Sequence, residues 1–234
     1  MAIPILMYHS IIDNDHESVS INLFKKQMML MKKMGYQTIN FDNLNKKENK
    51  KNFIITFDDG YESVFLNAFP ILKKLNFNAT CFIVTNKIGD FNEWDKNKRN
   101  FKKKKLMNFA QINEWIQNGF RIGSHTKDHK DLTKIDINGK IDQISNSKIF
   151  LNDMFSTKID SFAFPFGSYD NDTHNIVKDH YDFAVTTKRS RYFNDKFDNI
   201  LLPRIPINKS DNLFKFFLKI ITPYEDVKFK KNVN

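Results

Sequence analysis

The chain has 234 residues, 41% hydrophobic and 27% charged, and its 37 Lys and Arg outnumber 27 Asp and Glu to give a formal net charge of +10. That length suits one domain, most readily an α/β barrel, and the apolar content excludes wholesale disorder. A single cysteine excludes an intrachain disulfide framework and an all-cysteine zinc site, and no apolar run approaches the roughly 18 residues of a membrane span.

Ile3 to Tyr8 reads as a buried strand ending at His9. Asn22 to Met34 carries Phe24, Met28, Met31 and Met34 at helical spacing, with Gly35 as its stop. Phe53 to Phe57 is a second strand, followed by Asp58-Asp59-Gly60. Ser63 to Leu75 is helical, with Pro70 expected to kink or divide it. Ala79 to Thr85 is a third strand, in which Cys81 reads as a small buried residue. The polar stretch from Asn86 to Lys105, with its lysine run at 102–105, reads as a long loop over one barrel mouth. Asn108 to Asn118 is a short helix, and Phe120 to Gly123 a fourth strand that leads into Ser124-His125. Ile135 to Phe155 reads as one helix with Ile137, Ile141, Ile144, Ile149 and Leu151 in an apolar stripe. Ser161 to Phe164 is a fifth strand, ahead of Pro165-Phe166-Gly167. Asp170 to Asp179 is a helix with Asp170 as its N-cap. Strands at Phe183–Thr186 and Leu201–Ile207 and a helix over Asp211–Ile221 complete the order. Strands alternating with helices predict parallel βαβ units, closed as a barrel or open as a doubly wound sheet.

The N-terminus lacks a basic region and a long apolar stretch, from which a cytoplasmic location is expected. The excess charge favours anionic partners, but abundant Lys, Asn, Ile and Phe are also what an AT-rich genome encodes. No nucleic-acid motif accompanies the charge, so no nucleic-acid partner is expected. The segment from Asn212 to Pro223 reads as a helix packed on the barrel, with peripheral contact to a membrane surface as the alternative.

Residues that end parallel strands share one face of a barrel, so His9, Asp58-Asp59, His125 and Phe166 should converge. His125 and His129 are four apart, a spacing that lets two imidazoles on one helical turn share a metal. A carboxylate from another strand completes a His-His-Asp set with a position open for water. Adjacent carboxylates at the end of an apolar strand repel and are costly to desolvate, unless one binds the metal and the other faces attacking water. A plain Asp-Gly turn is the bland alternative. His16, His174 and His180 read as bystanders.

Thr56-Phe57-Asp58-Asp59-Gly60, Ser124-His125-Thr126-Lys127-Asp128-His129 and Phe162-Ala163-Phe164-Pro165-Phe166-Gly167, in this order, resemble the polysaccharide deacetylase, or NodB-homology, family. Leu6 to Ser10, Ala184 to Thr187 and Leu202 to Ile205 extend the resemblance over roughly residues 3 to 207. It implies a distorted (β/α) barrel of about seven parallel strands over residues 1–207, with 208–234 forming a C-terminal helix and basic tail packed on it. It implies a metal-dependent hydrolase that removes N-acetyl groups from an N-acetylated sugar in a glycan or a lipid-linked or nucleotide-linked precursor. By position, Asp59, His125 and His129 would hold a divalent metal, usually zinc. Asp58 would be the base that activates the metal-held water, and the backbone N–H of Phe166 would help stabilise the oxyanion.

Three positions depart from the family pattern. Ala163 stands where many members carry an Arg that tethers the catalytic Asp, and Arg204 is the substitute partner expected for Asp58. Residues 202–207 hold no general-acid His, which makes His9 the candidate acid. Lys188-Arg189-Ser190 replaces a stretch that often begins with glycine. Another C–N hydrolase on the same fold, or a silent glycan-binding module, remains open on these grounds.

Overall fold

The structure, a computed structural model, describes residues 2–13, 15, 18–46, 51–193 and 196–228. Its strands are β1 (Ile5–Tyr8), β2 (Tyr36–Thr38), β3 (Lys51–Phe57), β4 (Thr80–Ile83), β5 (Arg121–Ser124), β6 (Ser161–Ala163), β7 (Phe183–Arg189) and β8 (Leu202–Pro206). The sheet order is β1-β8-β7-β6-β5-β4-β3-β2, and β1 pairs with β3 as well as β8. Every pairing between these strands is parallel, so seven of them close a barrel and β2 hangs outside on β3. β2 was not expected: three residues are too few to show a period.

The helices are α1 (Ile21–Lys33), α2 (Phe69–Leu75), α3 (Phe109–Gln117), α4 (Ile137–Ile141), α5 (Ser147–Phe155), α6 (Asn171–His180), α7 (Leu213–Ile221) and α8 (Tyr224–Lys228). Local chemistry sets several of their ends. Ser20 caps α1, Asn108 and Gln111 form a reciprocal capping box on α3, and Asp170 accepts from the Thr173 amide at the start of α6. Pro70 falls in the first turn of α2, where its missing N–H costs little, and a π-helical stretch, Val64–Ala68, precedes it.

Alternation along each strand sends its residues to two cores. Leu6, Tyr8, Ile55, Phe57, Cys81 and Ile83 pack outward against Phe24, Met28, Leu72 and Trp115 of the helices. Ile5, Ile54, Phe82, Ala163, Val185 and Leu202 form the second cluster, which fills the barrel. Gly123 makes room there: a Cβ on it would meet the Phe82 ring at 2.5 Å. The same alternation puts Thr56, Asp58 and Arg204 on the inward side.

The stripe expected over Ile135–Phe155 is corrected. Ile144 and Leu151 are buried, but Ile137, Ile141 and Ile149 are exposed. A π-helical segment, Asp142–Asn146, separates α4 from α5, and its extra residue rotates the buried face. Lys140, Gln143 and Ser147 take inward positions instead. α7 packs on the barrel through Phe216 and Ile220 and is followed by α8, which the sequence pattern does not predict. The basic tail at 229–234 and His16 lie outside the described residues.

Candidate active site

Because the strands are parallel, their carboxyl ends open at one mouth, where a cleft of about 280 Å³ is lined by His9, Asp58, Asp59, His125, His129 and Phe166, among others. The neighbouring carboxylates Asp58 and Asp59 diverge. Asp59 adopts φ 72, as does Gly60 at φ 73, so the backbone turns sharply just after β3. Thr126, His129 and Phe166 also have positive φ (66, 57 and 60). Left-handed backbone is costly for residues with a Cβ, and four of the six such residues among the described positions lie at this mouth. Gly167 has φ 72, and a Cβ there would sit 2.0 Å from Thr187 Oγ1.

Asp59, His125 and His129 are buried and offer one ligand atom each within 4.8 Å of one another. The two imidazole Nε2 atoms face Asp59 Oδ1 from 3.4 and 3.3 Å. That oxygen accepts no hydrogen bond although it is buried, and His129 Nδ1 is likewise unpartnered. Buried polar atoms are normally satisfied, so two imidazole nitrogens converging on an orphaned carboxylate oxygen, three ligand atoms in all, fit a cation. His125 Nδ1 bonds the Ala163 carbonyl at 2.7 Å, which leaves Nε2 as its ligand atom. Burial pushes the Asp59 carboxyl up, but the two imidazoles outweigh it and hold the group well below the usual range.

The histidine pair does not ride a helical turn, contrary to the spacing argument. Residues 125–129 form an irregular loop, closed by a 3.0 Å bond from the His129 amide to Thr126 Oγ1. Gln143 braces it: its amide donates to Asp128 Oδ2 at 2.6 Å and its carbonyl accepts from the Asp128 N–H at 3.0 Å. Thr85 and Asn86 donate their amides to the Thr126 and Lys127 carbonyls at 3.1 and 2.9 Å.

Asp58 faces Arg204. Nη1 and Nη2 reach Oδ1 and Oδ2 at 2.7 and 2.8 Å, a bidentate pair with the guanidinium fully buried. Nη1 also donates to Thr56 Oγ1 at 3.1 Å and Nε to the Thr186 carbonyl at 2.9 Å. Burial raises the Asp58 carboxyl, but the Arg204 charge and hydrogen bonds, with His125 and His9 behind them, leave it lowered. His9 stands at the lip, half exposed, with Nε2 4.0 Å from Asp58 Oδ2. Phe166 lines the same cleft and is exposed, its ring edge-on to His129 at 4.7 Å. Cys81 is buried, and burial with the charges of Asp58 and Asp59 pushes its thiol well up, which makes it unreactive. Away from the cleft, His174 pairs with Asp198, and His180 bonds Ser145 and the Ile176 carbonyl.

Two cleft residues carry no signal in the sequence. Trp94 stacks on His129, centroids 4.7 Å apart and planes 18° off parallel. Tyr61 is buried beside Asp59, and burial and that carboxylate push its phenol up. Trp94 belongs to the 86–105 segment, and Lys104 of the same segment lies 5.6 Å from the Tyr61 ring centroid, so this loop covers the barrel mouth as its sequence predicts. Lys104 from its lysine run reaches into the cleft and pairs with Asp15 at 2.7 Å, and Lys105 pairs with Glu62 at 3.1 Å.

Comparison with known proteins agrees with this geometry. Residues 45–181 match the family described as polysaccharide deacetylase. YxkH of Bacillus subtilis (strain 168) is 31% identical over 193 residues, 80% of this chain and 64% of that protein. The poly-beta-1,6-N-acetyl-D-glucosamine N-deacetylase of Staphylococcus epidermidis is 27% identical over 86% of this chain and 71% of its own length. The chain thus spans under two thirds of the first of these relatives. Among solved structures, the Streptococcus pyogenes deacetylase PplD, in complex with acetate, superposes with a TM-score of 0.81 at 26% identity, covering 94% of this chain and 98% of that one. With the match running over more than half its residues, and a barrel that superposes almost end to end on a deacetylase, the chain belongs to the polysaccharide deacetylase family.

Proposed function

We propose that the chain is a metal-dependent hydrolase that removes N-acetyl groups from an N-acetylated sugar in a glycan or a glycan precursor. The observation that carries the reading is the division of labour between adjacent carboxylates. Asp59 turns to two imidazoles, while Asp58 is locked by Arg204 at the floor of the same cleft. Family membership supports it, as does the similarity to the Staphylococcus poly-beta-1,6-N-acetyl-D-glucosamine N-deacetylase and to the Streptococcus deacetylase.

A divalent cation, zinc most simply, held by Asp59, His125 and His129 would supply Lewis-acid polarisation of the acetamide carbonyl and make water more acidic. Asp58, kept ionised by Arg204, takes a proton from water as its oxygen adds to the carbonyl carbon. The Phe166 amide, on the strained turn beside His129, serves as an oxyanion donor. The C–N bond then breaks, acetate leaves, and the amine takes a proton from Asp58 or from His9, which stands next to it. The exposed Phe166 ring gives the sugar an apolar wall.

Acetate release from N-acetylglucosamine oligomers tests the reading, using chelated protein with zinc or cobalt added back. Release should return with metal, vanish in Asp58→Asn with metal still bound, and fall in His9→Ala. Unchanged turnover in His9→Ala removes that residue from the mechanism. No release from fully metal-loaded protein rejects these substrates and points to a lipid-linked or nucleotide-linked sugar, or to another amide.

A further inference from the structure

Helix α7 is built inside out. Its sequence, Leu-Phe-Lys-Phe-Phe-Leu-Lys-Ile-Ile, has two charged residues, and one of them, Lys219, is fully buried. Its ammonium reaches Asp211 Oδ2 at 2.6 Å and the Pro206 carbonyl at 2.7 Å, with Glu225 at 3.5 Å. Phe216 and Ile220 fill the rest of the inward face. The outward face holds Phe214, Phe217, Leu218 and Ile221, spaced i, i+3, i+4, i+7, a continuous apolar stripe. Phe214 is 70% exposed and Ile221 40%, with Phe217 and Leu218 half-buried between them. Burying a lysine while an aromatic stripe faces outward runs against the normal partition of side chains and marks an interaction surface.

The chemistry beside the stripe says what kind of surface it meets. Arg191 Nη1 lies 3.5 Å from the Ile221 carbonyl at the end of the helix. From there a cleft of about 470 Å³ opens, lined by Lys188, Arg191, Lys196, Phe193, Phe197 and Val227, the last 64% exposed. Asp226 and Glu225 answer Arg191 and Arg189, while Lys188 and Lys196 lie over the rings of Phe197 and Phe193. An apolar stripe edged by cations and aromatic rings is the pattern of a helix lying in an anionic lipid interface. A second copy of this chain would bring the same cations, on a molecule of formal charge +10, against their own images. No helix among the described residues is long and apolar enough to cross a membrane, so the contact is with its surface.

We infer that α7 and the Lys188–Lys196 cleft form a docking face for an anionic lipid bilayer. Asn208, which lines the catalytic cleft, lies just ahead of α7, so docking holds the barrel mouth close to the lipid surface. The inference does not rest on the hydrolase reading, because its readout is binding.

The test is co-sedimentation of the full chain with phosphatidylcholine vesicles, with and without phosphatidylglycerol. Wild type should sediment with the anionic vesicles only and release as salt is raised. Phe214→Ser/Ile221→Ser and Lys188→Gln/Lys196→Gln should each weaken partitioning about tenfold or more, with the thermal midpoint of the charge pair unchanged. The charge pair keeps the test decisive if the serine pair fails to fold. Absence of binding to anionic vesicles overturns the inference, as does undiminished binding in either folded double variant. A lipid-free dimer in sedimentation velocity that the serine pair splits overturns it in favour of an interface between copies.

Discussion

Arg204 supplies four hydrogen bonds inside the barrel, and two of them are the bidentate fork on Asp58. Arg204→Met would leave a buried carboxylate without its counter-ion, and should cost about 3–5 kcal/mol in urea unfolding. Arg204→Lys keeps the charge but loses the fork, and should fall between. A loss under about 1 kcal/mol in Arg204→Met would show that the pair is incidental. At this scale the sequence was informative where a polar residue ends an apolar strand. Asp58, Asp59 and His125 announce themselves because nothing in a strand's own packing asks for them, whereas Arg204 lies within β8 and is singled out only by Ala163 standing where the resemblance puts an Arg. Trp94, Tyr61 and Gln143 do not, because their meaning lies in partners remote in sequence: the Trp94 ring counts only once a loop lays it on His129.

At the scale of elements, most strands and helices follow from periodicity and caps; β2 and α8 are too short to show a period, and the longer helices depart from it where a π-helical stretch intervenes. The π-helical stretch at Val64–Ala68 ends where Pro70 is expected to divide the helix, but the one at Asp142–Asn146 shifts the period without any residue type that signals it. Beside that second stretch, Lys140 turns inward and its ammonium sits 2.6 Å from the N-cap carboxylate of α6, Asp170. Lys140 and the Thr173 hydroxyl and amide lower the Asp170 carboxyl to about 2 from 3.8. A depressed folded pKa stabilises above the unfolded value, and that contribution is lost as pH falls from about 4 through about 2. Asp170→Asn keeps the cap but loses the charge. Its urea midpoint should lie below wild type at pH 6, and the gap should close near pH 2. A gap that persists at pH 2 would assign the effect to the cap alone. The C-terminal helices make a second case. Ending the chain after Ile207 removes Phe216 and Ile220 from the core and strips Arg189 and Arg191 of Glu225 and Asp226. Losses of this kind, about 3–5 kcal/mol for one large core side chain, exceed what a marginal domain can spare. The shortened chain should show no cooperative thermal transition by circular dichroism, whereas a sharp transition near that of wild type would make α7 an appendage.

For the molecule as a whole, the candidate cation site, Asp59 with His125 and His129, ties the end of β3 to the loop after β5, segments separated by β4 and α3. A cation bound only by the folded chain stabilises by about 2.7 kcal/mol at a hundredfold excess over Kd. For a domain of this size, that lifts the thermal midpoint by about 5–10 °C. Zinc added to chelated wild type should produce the shift in differential scanning fluorimetry, and Asp59→Asn should abolish it. Equal shifts in both proteins would place the cation elsewhere. The barrel itself closes through β1, which pairs with both β3 and β8. Ring closure therefore waits on β8, residues 202–206, which follows every other strand of the barrel in the chain. Until β8 leaves the ribosome, β1 and β7 each present a bare hydrogen-bonding edge to whatever lies nearby in the cell. A chain in which β8 is damaged or slow to dock keeps both edges bare, and it should be lost to edge-to-edge aggregation before it loses any of the chemistry at the mouth.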